Sequence, residues 1–201
     1  MMQNARHLPV DVFERYEALK SRVGVRRAEF GRFIAFLEAE TSWLTSPAST
    51  RYHLNVEGGL LLHSLGVAET ALRLRNLLAP DLSEESVVIT ALFHDVGKVG
   101  HSRKPYYLPN EDLWEARNRG RLYRVNPEIL AMNSAVRGLC LVCRYITLTE
   151  EEAQAIAAHD GLYPVHGGVT NLEYHQGECR LLMLLQFADK WTAAVEEEGR
   201  L

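Results

Sequence analysis

Between Val10 and Val23 the apolar residues Val12, Phe13, Tyr16, Leu19 and Val23 recur at intervals of three and four, the period of a helix with one buried face, and Gly24 ends it. A second stripe, Phe30, Phe33, Ile34 and Leu37, predicts a helix over Arg26 to Trp43. The two make an N-terminal helical layer, residues 1–45, with the character of scaffold. After the loop Ser46 to Thr50, the glycines Gly58 and Gly59 precede a long helical pattern through Leu65, Val67, Ala68, Ala71, Leu72 and Leu78. Pro80, Asp81 and Ser83 break it, with Ser83 or Asp81 as N-cap of a helix that is apolar from Val87 to Phe93.

Beyond Gly100 the periodicity fails. Leu113-Trp114 and Leu122-Tyr123 flank Arg117-Asn118-Arg119-Gly120, which predicts a small β-hairpin over Leu113 to Val125. Asn126 as cap and Pro127 at the first position predict a helix to about Tyr145. Thr149 and Glu152 form a capping box, and the helix they open ends at His159-Asp160-Gly161, followed by a loop through His166 and His175. A last helix, about Glu178 to Glu197, is apolar along Leu181, Leu182, Leu184, Leu185 and Ala188. The fold class expected is all-α, a helical bundle with a small β-hairpin insertion.

A chain of 201 residues, 47% of them hydrophobic, can bury one substantial core, so a single domain over 1–201 is expected, its core at 51–194. The net charge of −4 argues against a surface devoted to gripping nucleic acid. Three cysteines do not make a disulfide framework, and Cys140 and Cys143 on one helix, without a second pair, read as core thiols. The N-terminus lacks an apolar leader and no run approaches the roughly 20 apolar residues of a membrane span, so no membrane partner and a cytoplasmic location are expected. The sequence carries no signal for an oligomeric state.

Against this background the polar residues at helix ends change the picture. His94 and Asp95 stand side by side where an apolar helix stops, about 100° apart around the axis, so they converge only on an object lying over the helix end. Lys98, four positions after His94, is placed to meet an anion there. Such a pair alone is also a common structural device. However, His63 sits in the first turns of another apolar helix, His159 falls at a third helix end, and Asp189 interrupts the last apolar stripe, where an unpaired carboxylate would cost several kcal/mol to bury. Lys190 is adjacent to Asp189 but on the wrong face to neutralise it. Imidazoles and carboxylates without cysteine suit a six-coordinate divalent ion, Mn(II), Fe(II), Co(II) or Ni(II), with Mg(II) an alternative, in an open site of catalytic style.

In this order and context the residues His63, His94-Asp95 and Asp189 resemble the H…HD…D pattern of the HD-domain superfamily of metal-dependent phosphohydrolases, and His94-Asp95-Val96-Gly97-Lys98 matches its His-Asp-x-Gly-Lys form. The resemblance covers roughly Arg51 to Ala194. It implies an HD-type helical bundle in which His63, His94, Asp95 and Asp189 ligate the metal. The stretch Arg51 to Leu65, with Lys104 to Leu108 and Tyr123 to Pro127, is similar to the bacterial and phage branch that includes 3'-5' exoribonucleases and relaxase HD modules. Where dinuclear relatives carry a further histidine the chain reads Ala131-Met132-Asn133-Ser134, which implies one ion. His159 matches a second extra histidine of those relatives, as an outer ligand or phosphate contact.

The reaction expected is hydrolysis of a phosphoester by metal-activated water, with Asp95, Lys98 and His159 as catalytic groups. Substrate contacts are expected from His53, Lys98, Arg103, Lys104, Arg117 and Arg119, the last four in the dense basic region. The substrate is a nucleotide or other small phosphorylated molecule; a single-stranded nucleic acid end, favoured by the arginine-rich segment, or a metal-binding regulatory module without turnover are the alternatives.

Overall fold

A computed structural model describes residues 10–161 and 177–197; His166 and His175 lie outside them. The elements are α1 (Val10–Lys20), α2 (Arg27–Glu40), α3 (Gly59–Leu78), α4 (Glu84–Phe93), a 3-10 turn (Val96–Val99), β1 (Tyr107–Pro109), α5 (Leu113–Arg119), β2 (Tyr123–Val125), α6 (Ser134–Val142), α7 (Glu150–Ala158), α8 (Arg180–Trp191) and a π-turn (Thr192–Glu197). Among the described residues the protein is all-α apart from one two-stranded sheet.

The central helix α3 packs against α4 on one side and α8 on the other, while α6 and α7 close the bundle. Twelve of its residues are buried, as its nearly continuous apolar sequence demands. The N-terminal layer is locked onto α4 by aromatic packing: Phe33 meets Phe93 edge-on at 4.8 Å and stacks on Tyr145 at 5.3 Å. The buried Trp43 Nε1 donates to Tyr16 Oη at 3.0 Å, so neither polar tip is orphaned. Phe93 directly precedes His94, and this packing therefore sets where α4 delivers its polar end.

Capping chemistry fixes several helix starts. Ser83 Oγ accepts the Ser86 amide at 3.3 Å, Thr149 and Glu152 form the expected capping box, and α7 ends at His159. The 3-10 turn lies against α6 so closely that a Cβ on Gly97 would stand 1.9 Å from the Ser134 carbonyl oxygen. Only glycine fits there.

Three expectations are corrected. The segment Leu113–Arg119 is a helix, capped by Asp112, whose side chain accepts the amides of Trp114 and Glu115. The hairpin instead pairs Tyr107–Pro109 with Tyr123–Val125, in the register Leu108 opposite Arg124, and carries α5 at its tip. Asn126 does not start a helix. Its Oδ1 accepts the Glu128 amide at 3.0 Å in an Asx turn, and Asn133 caps α6 seven residues later. Cys140 and Cys143 are exposed thiols rather than core ones, because α6 turns Ala135, Gly138 and Leu141 inward and leaves the cysteines on its other face.

Candidate metal centre

Four helix ends or faces converge beneath one cavity of about 540 Å³, lined by His53, His63, Asp95, Lys98, His159, Asp160, Gly161, Gln186, Phe187, Asp189, Lys190 and Ala193. His94 lies immediately behind it, fully buried.

Each buried imidazole is oriented through its Nδ1. His94 donates from Nδ1 to the Ala91 carbonyl at 2.7 Å, and His159 likewise to Ile156 at 2.9 Å. A carbonyl can only accept, so in the neutral rings the proton sits on Nδ1 and the Nε2 lone pair turns inward. These bonds span three residues, which is why both rings stand at the last turn of a helix. His63 Nδ1 is held 2.9 Å from Glu197 Oε1, a carboxylate partner.

The inward atoms crowd together. His63 Nε2 lies 3.1 Å from Asp189 Oδ1 and 3.8 Å from Asp95 Oδ2, and His94 Nε2 lies 3.9 and 3.6 Å from the same two oxygens. The two Nε2 atoms face each other at 3.3 Å. Donors bonded to one ion at roughly 2.0 to 2.2 Å stand about 3 Å apart at right angles and about 4 Å apart when opposite, so this spacing fits an ion between them. On the far side of Asp95, His159 Nε2 is 3.5 Å from Oδ1, and both atoms are buried without a hydrogen-bond partner. Orphaned buried polar atoms are costly, and a cation shared by inward lone pairs would satisfy them. The residues present therefore fit a divalent ion.

The electrostatics follow from burial competing with neighbours. Burial lowers His63, but the hydrogen bonds its ring donates to Asp189 and Glu197 outweigh it and raise its pKa to about 9. His159 also reaches about 9, burial opposing and Asp95 prevailing. His94 falls to about 4, mainly through burial, because the nearby charges of Asp95 and Asp189, with no hydrogen bond to the ring, do not make up for it. Burial raises Asp189, but His63 and His94 hold it down at about 2. Lys98, on the 3-10 turn, reaches Asp95 Oδ2 at 2.5 Å, and this contact overcomes burial to keep the ammonium charged and the carboxyl ionised.

Of the residues singled out from the sequence, His63, His94, Asp95, Lys98, His159 and Asp189 come together, and His53 joins them with its ring 5.0 Å from that of His63. The basic residues do not line this cavity. Arg103 and Lys104 border a separate cleft with Glu40, Tyr107 and Tyr123, where Arg103 pairs with Glu40 at 3.4 Å. Arg119 pairs with Glu115 at 3.1 Å and stacks over Trp114, on the same exposed α5 as Arg117.

Four neighbours were not anticipated. Asp160 Oδ1 stands 3.4 Å from His159 Nε2, and the His159-Asp160 pair repeats the helix-end pattern of His94-Asp95, a signal that was available. Lys190 lines the cavity beside Asp189 rather than facing away. Tyr107 lies within electrostatic reach of Lys98 and Asp95, its pKa pushed up to about 12, mostly by burial. Glu197 had no local signature at all.

The HD domain family matches residues 60–194, and the chain belongs to that family, one of metal-dependent phosphohydrolases. Comparisons with curated proteins and with solved structures returned no match. Among the described residues no helix is long and apolar enough to cross a membrane.

Proposed function

We propose that the chain hydrolyses a phosphoester of a nucleotide or a comparably small phosphorylated molecule, with one divalent transition-metal ion held by His63, His94, Asp95 and Asp189. The observation that carries this reading is the pair of facing Nε2 atoms, 3.3 Å apart, bracketed by two carboxylates. When bound, such an ion supplies Lewis acidity toward a phosphoryl oxygen and brings the pKa of water toward neutrality.

The chain's own groups do the rest. Lys98, kept cationic by Asp95, offsets charge on the phosphoryl oxygens. His159, its ring fixed by the Ile156 carbonyl, contacts a phosphoryl oxygen from the other side of Asp95. A cavity of about 540 Å³ is in the range for small ligands, and His53 and Lys190 at its wall provide further polar contacts.

The test is turnover by protein loaded in turn with Mn(II), Co(II), Ni(II), Fe(II) and Mg(II), over a panel of mononucleotides, simple phosphomonoesters and single-stranded oligonucleotides. A mononucleotide should be cleaved, and Asp95→Ala should lose both the ion and the activity. A nuclease of the 3'-5' type is the second reading, favoured by the exposed stack of Arg119 on Trp114, 5.1 Å from guanidinium to ring, because such faces hold unstacked bases. Asn55 Nδ2 ties that tip to the loop before α3 through the Gly120 carbonyl. Steep loss of binding with rising salt would mark the polymer, and a flat response the mononucleotide. Ion and nucleotide binding without turnover on any substrate would make the chain a regulatory module.

A further inference from the structure

One face of α3 meets the π-turn that follows α8, and His63 is part of it. His63, Gly66, Thr70 and Arg73 recur at helical spacing, and every one of them touches Thr192–Glu197. Glu197 Oε1 is 2.9 Å from His63 Nδ1. A Cβ on Gly66 would stand 2.8 Å from Thr192 Cγ2 and 4.0 Å from Glu197 Oε1, so the glycine clears the crossing. Thr70 Oγ1 donates to Glu196 Oε1 at 3.3 Å, and Arg73 Nη2 donates to the same oxygen at 2.8 Å. Glycine inside a helix costs about 1 kcal/mol relative to alanine, and here that cost coincides with the closest approach of the π-turn.

The partners of the three imidazoles differ in kind. His94 and His159 are oriented by neutral carbonyls of their own helices, but His63 is oriented by a carboxylate 134 residues away. The Glu197 side chain is only 9% exposed, and its other oxygen, Oε2, is buried with no hydrogen-bond partner. His63 lies in the first turns of its helix, where the preceding carbonyls are engaged in the helix's own hydrogen bonds, rather than at the end, where they are free. Glu197 is the last residue of the π-turn, which packs against α3. Glu197 also lies beyond residues 60–194, the part of the chain matched by the family.

We propose that Glu197 is a positioning residue for the metal centre: its carboxylate holds His63 by Nδ1, fixes the tautomer with Nε2 inward, and raises the basicity of that nitrogen toward the ion. This rests on the reading of His63 as a ligand. A carboxylate behind a ligating imidazole contributes about 10-fold to 100-fold in ion affinity.

The experiment is calorimetric titration of the metal-free full chain with Co(II), together with the cobalt absorption spectrum, for the natural protein and for Glu197→Ala, Glu197→Gln and Glu196→Gln. Glu197→Ala should bind about 10-fold to 100-fold more weakly. Glu197→Gln, which keeps an acceptor for the Nδ1 proton without the charge, should fall in between, with the ligand-field bands in place. Glu196→Gln removes the neighbouring tether to Thr70 and Arg73 without touching His63, and should bind like the natural protein. Equal affinity in Glu197→Ala and the natural protein overturns the proposal. So does a loss in Glu196→Gln as large as that in Glu197→Ala, because packing of the segment would then account for both. Absence of cobalt binding by the natural protein would instead remove the metal reading itself. Should Glu197→Ala fail to fold, Glu197→Gln against Glu196→Gln carries the comparison.

Discussion

Two buried charge clusters lie on opposite ends of α4, and they are built on opposite terms. At its start, the Arg26 guanidinium donates to Glu85 at 2.8 Å, to both oxygens of Glu152 at 2.7 and 2.6 Å, and to the Thr147 carbonyl at 3.0 Å. Glu85 Oε2 accepts the amides of Gly24 and Val25, and Glu152 Oε2 that of Thr149. This cluster is complete. At the other end of α4, three imidazoles crowd around Asp95 and Asp189, Lys98 pairs with one oxygen of Asp95, and Asp95 Oδ1 and His159 Nε2 are left without hydrogen-bond partners. A cluster closed on itself contributes to holding three segments together, whereas one left open retains the capacity to bind.

The contrast can be broken at either end. The largest effect is expected from Asp189→Ala, which removes a proposed ligand together with the charge that sustains His63: ion binding in calorimetry and hydrolysis in the substrate panel should both fall to background. Fold stability without the ion should change far less. Arg26→Met should do the reverse. It leaves Glu85 and the buried Glu152 without their cation, at a cost of about 3 to 5 kcal/mol in urea unfolding, with activity per folded molecule unchanged.

Acid sharpens the same distinction. Burial pushes the Glu152 and Glu85 carboxyls up, and hydrogen bonds from Arg26 more than reverse it, so both stand below the ordinary value of 4.5. A carboxyl lowered on folding stabilises above its unfolded value and loses that contribution as pH falls through the folded one. Stability should therefore drop below about pH 4.5, and Arg26→Met should flatten that limb in pH-dependent urea melts.

The open cluster responds at the other end of the scale. His63 and His159, raised to about 9 without an ion, stabilise the metal-free fold fully below the ordinary value of 6.5 and lose that contribution as pH rises through 9. An ion held by His63 must displace the proton on its Nε2. Its affinity should rise from pH 6.5 to 9, with close to one proton released from His63 per ion near neutrality, measured by calorimetry in buffers of different ionisation enthalpy. The smallest effect belongs to the exposed α5, where Arg119→Ala should change stability by no more than about 0.5 kcal/mol. It should weaken oligonucleotide binding only if a polymer is the substrate.

The helices that carry the chemistry were legible because each has an apolar stripe with a polar residue set into it or at its end: Val87 to Phe93 stops at His94 and the stripe of α7 stops at His159, while His63 and Asp189 interrupt theirs. The capping box at Thr149 and the helix end at His159 needed no tertiary information, whereas the cap of α4 was open between Ser83 and Asp81 until the structure placed it at Ser83. The segment around Trp114 was misread for a physical reason: Leu-Trp and Leu-Tyr flanking Arg-Asn-Arg-Gly suit a hairpin, but Asp112 capping two amides and the Glu115 to Arg119 pair, four residues apart, favour a helix. The strand that Tyr123 needed was Tyr107–Pro109, out of reach of any local pattern. Asn126-Pro127 is equally suited to a cap and to an Asx turn, and Leu130, left 81% exposed, shows that no apolar face follows it to bury.

By itself the sequence determined the helical class, the helix boundaries that end in His94 and His159, and which polar side chains stand out as candidates for a shared site, because these follow from periodicity, capping and the cost of burying a lone Asp189. Only the tertiary structure decided that His63 and His94 bring their Nε2 atoms to 3.3 Å, that the arginines of α5 do not line the cavity, and that Glu197 stands behind His63. Those are long-range relations, set by how helices pack around Phe93 and cross at Gly66, and no local pattern encodes them.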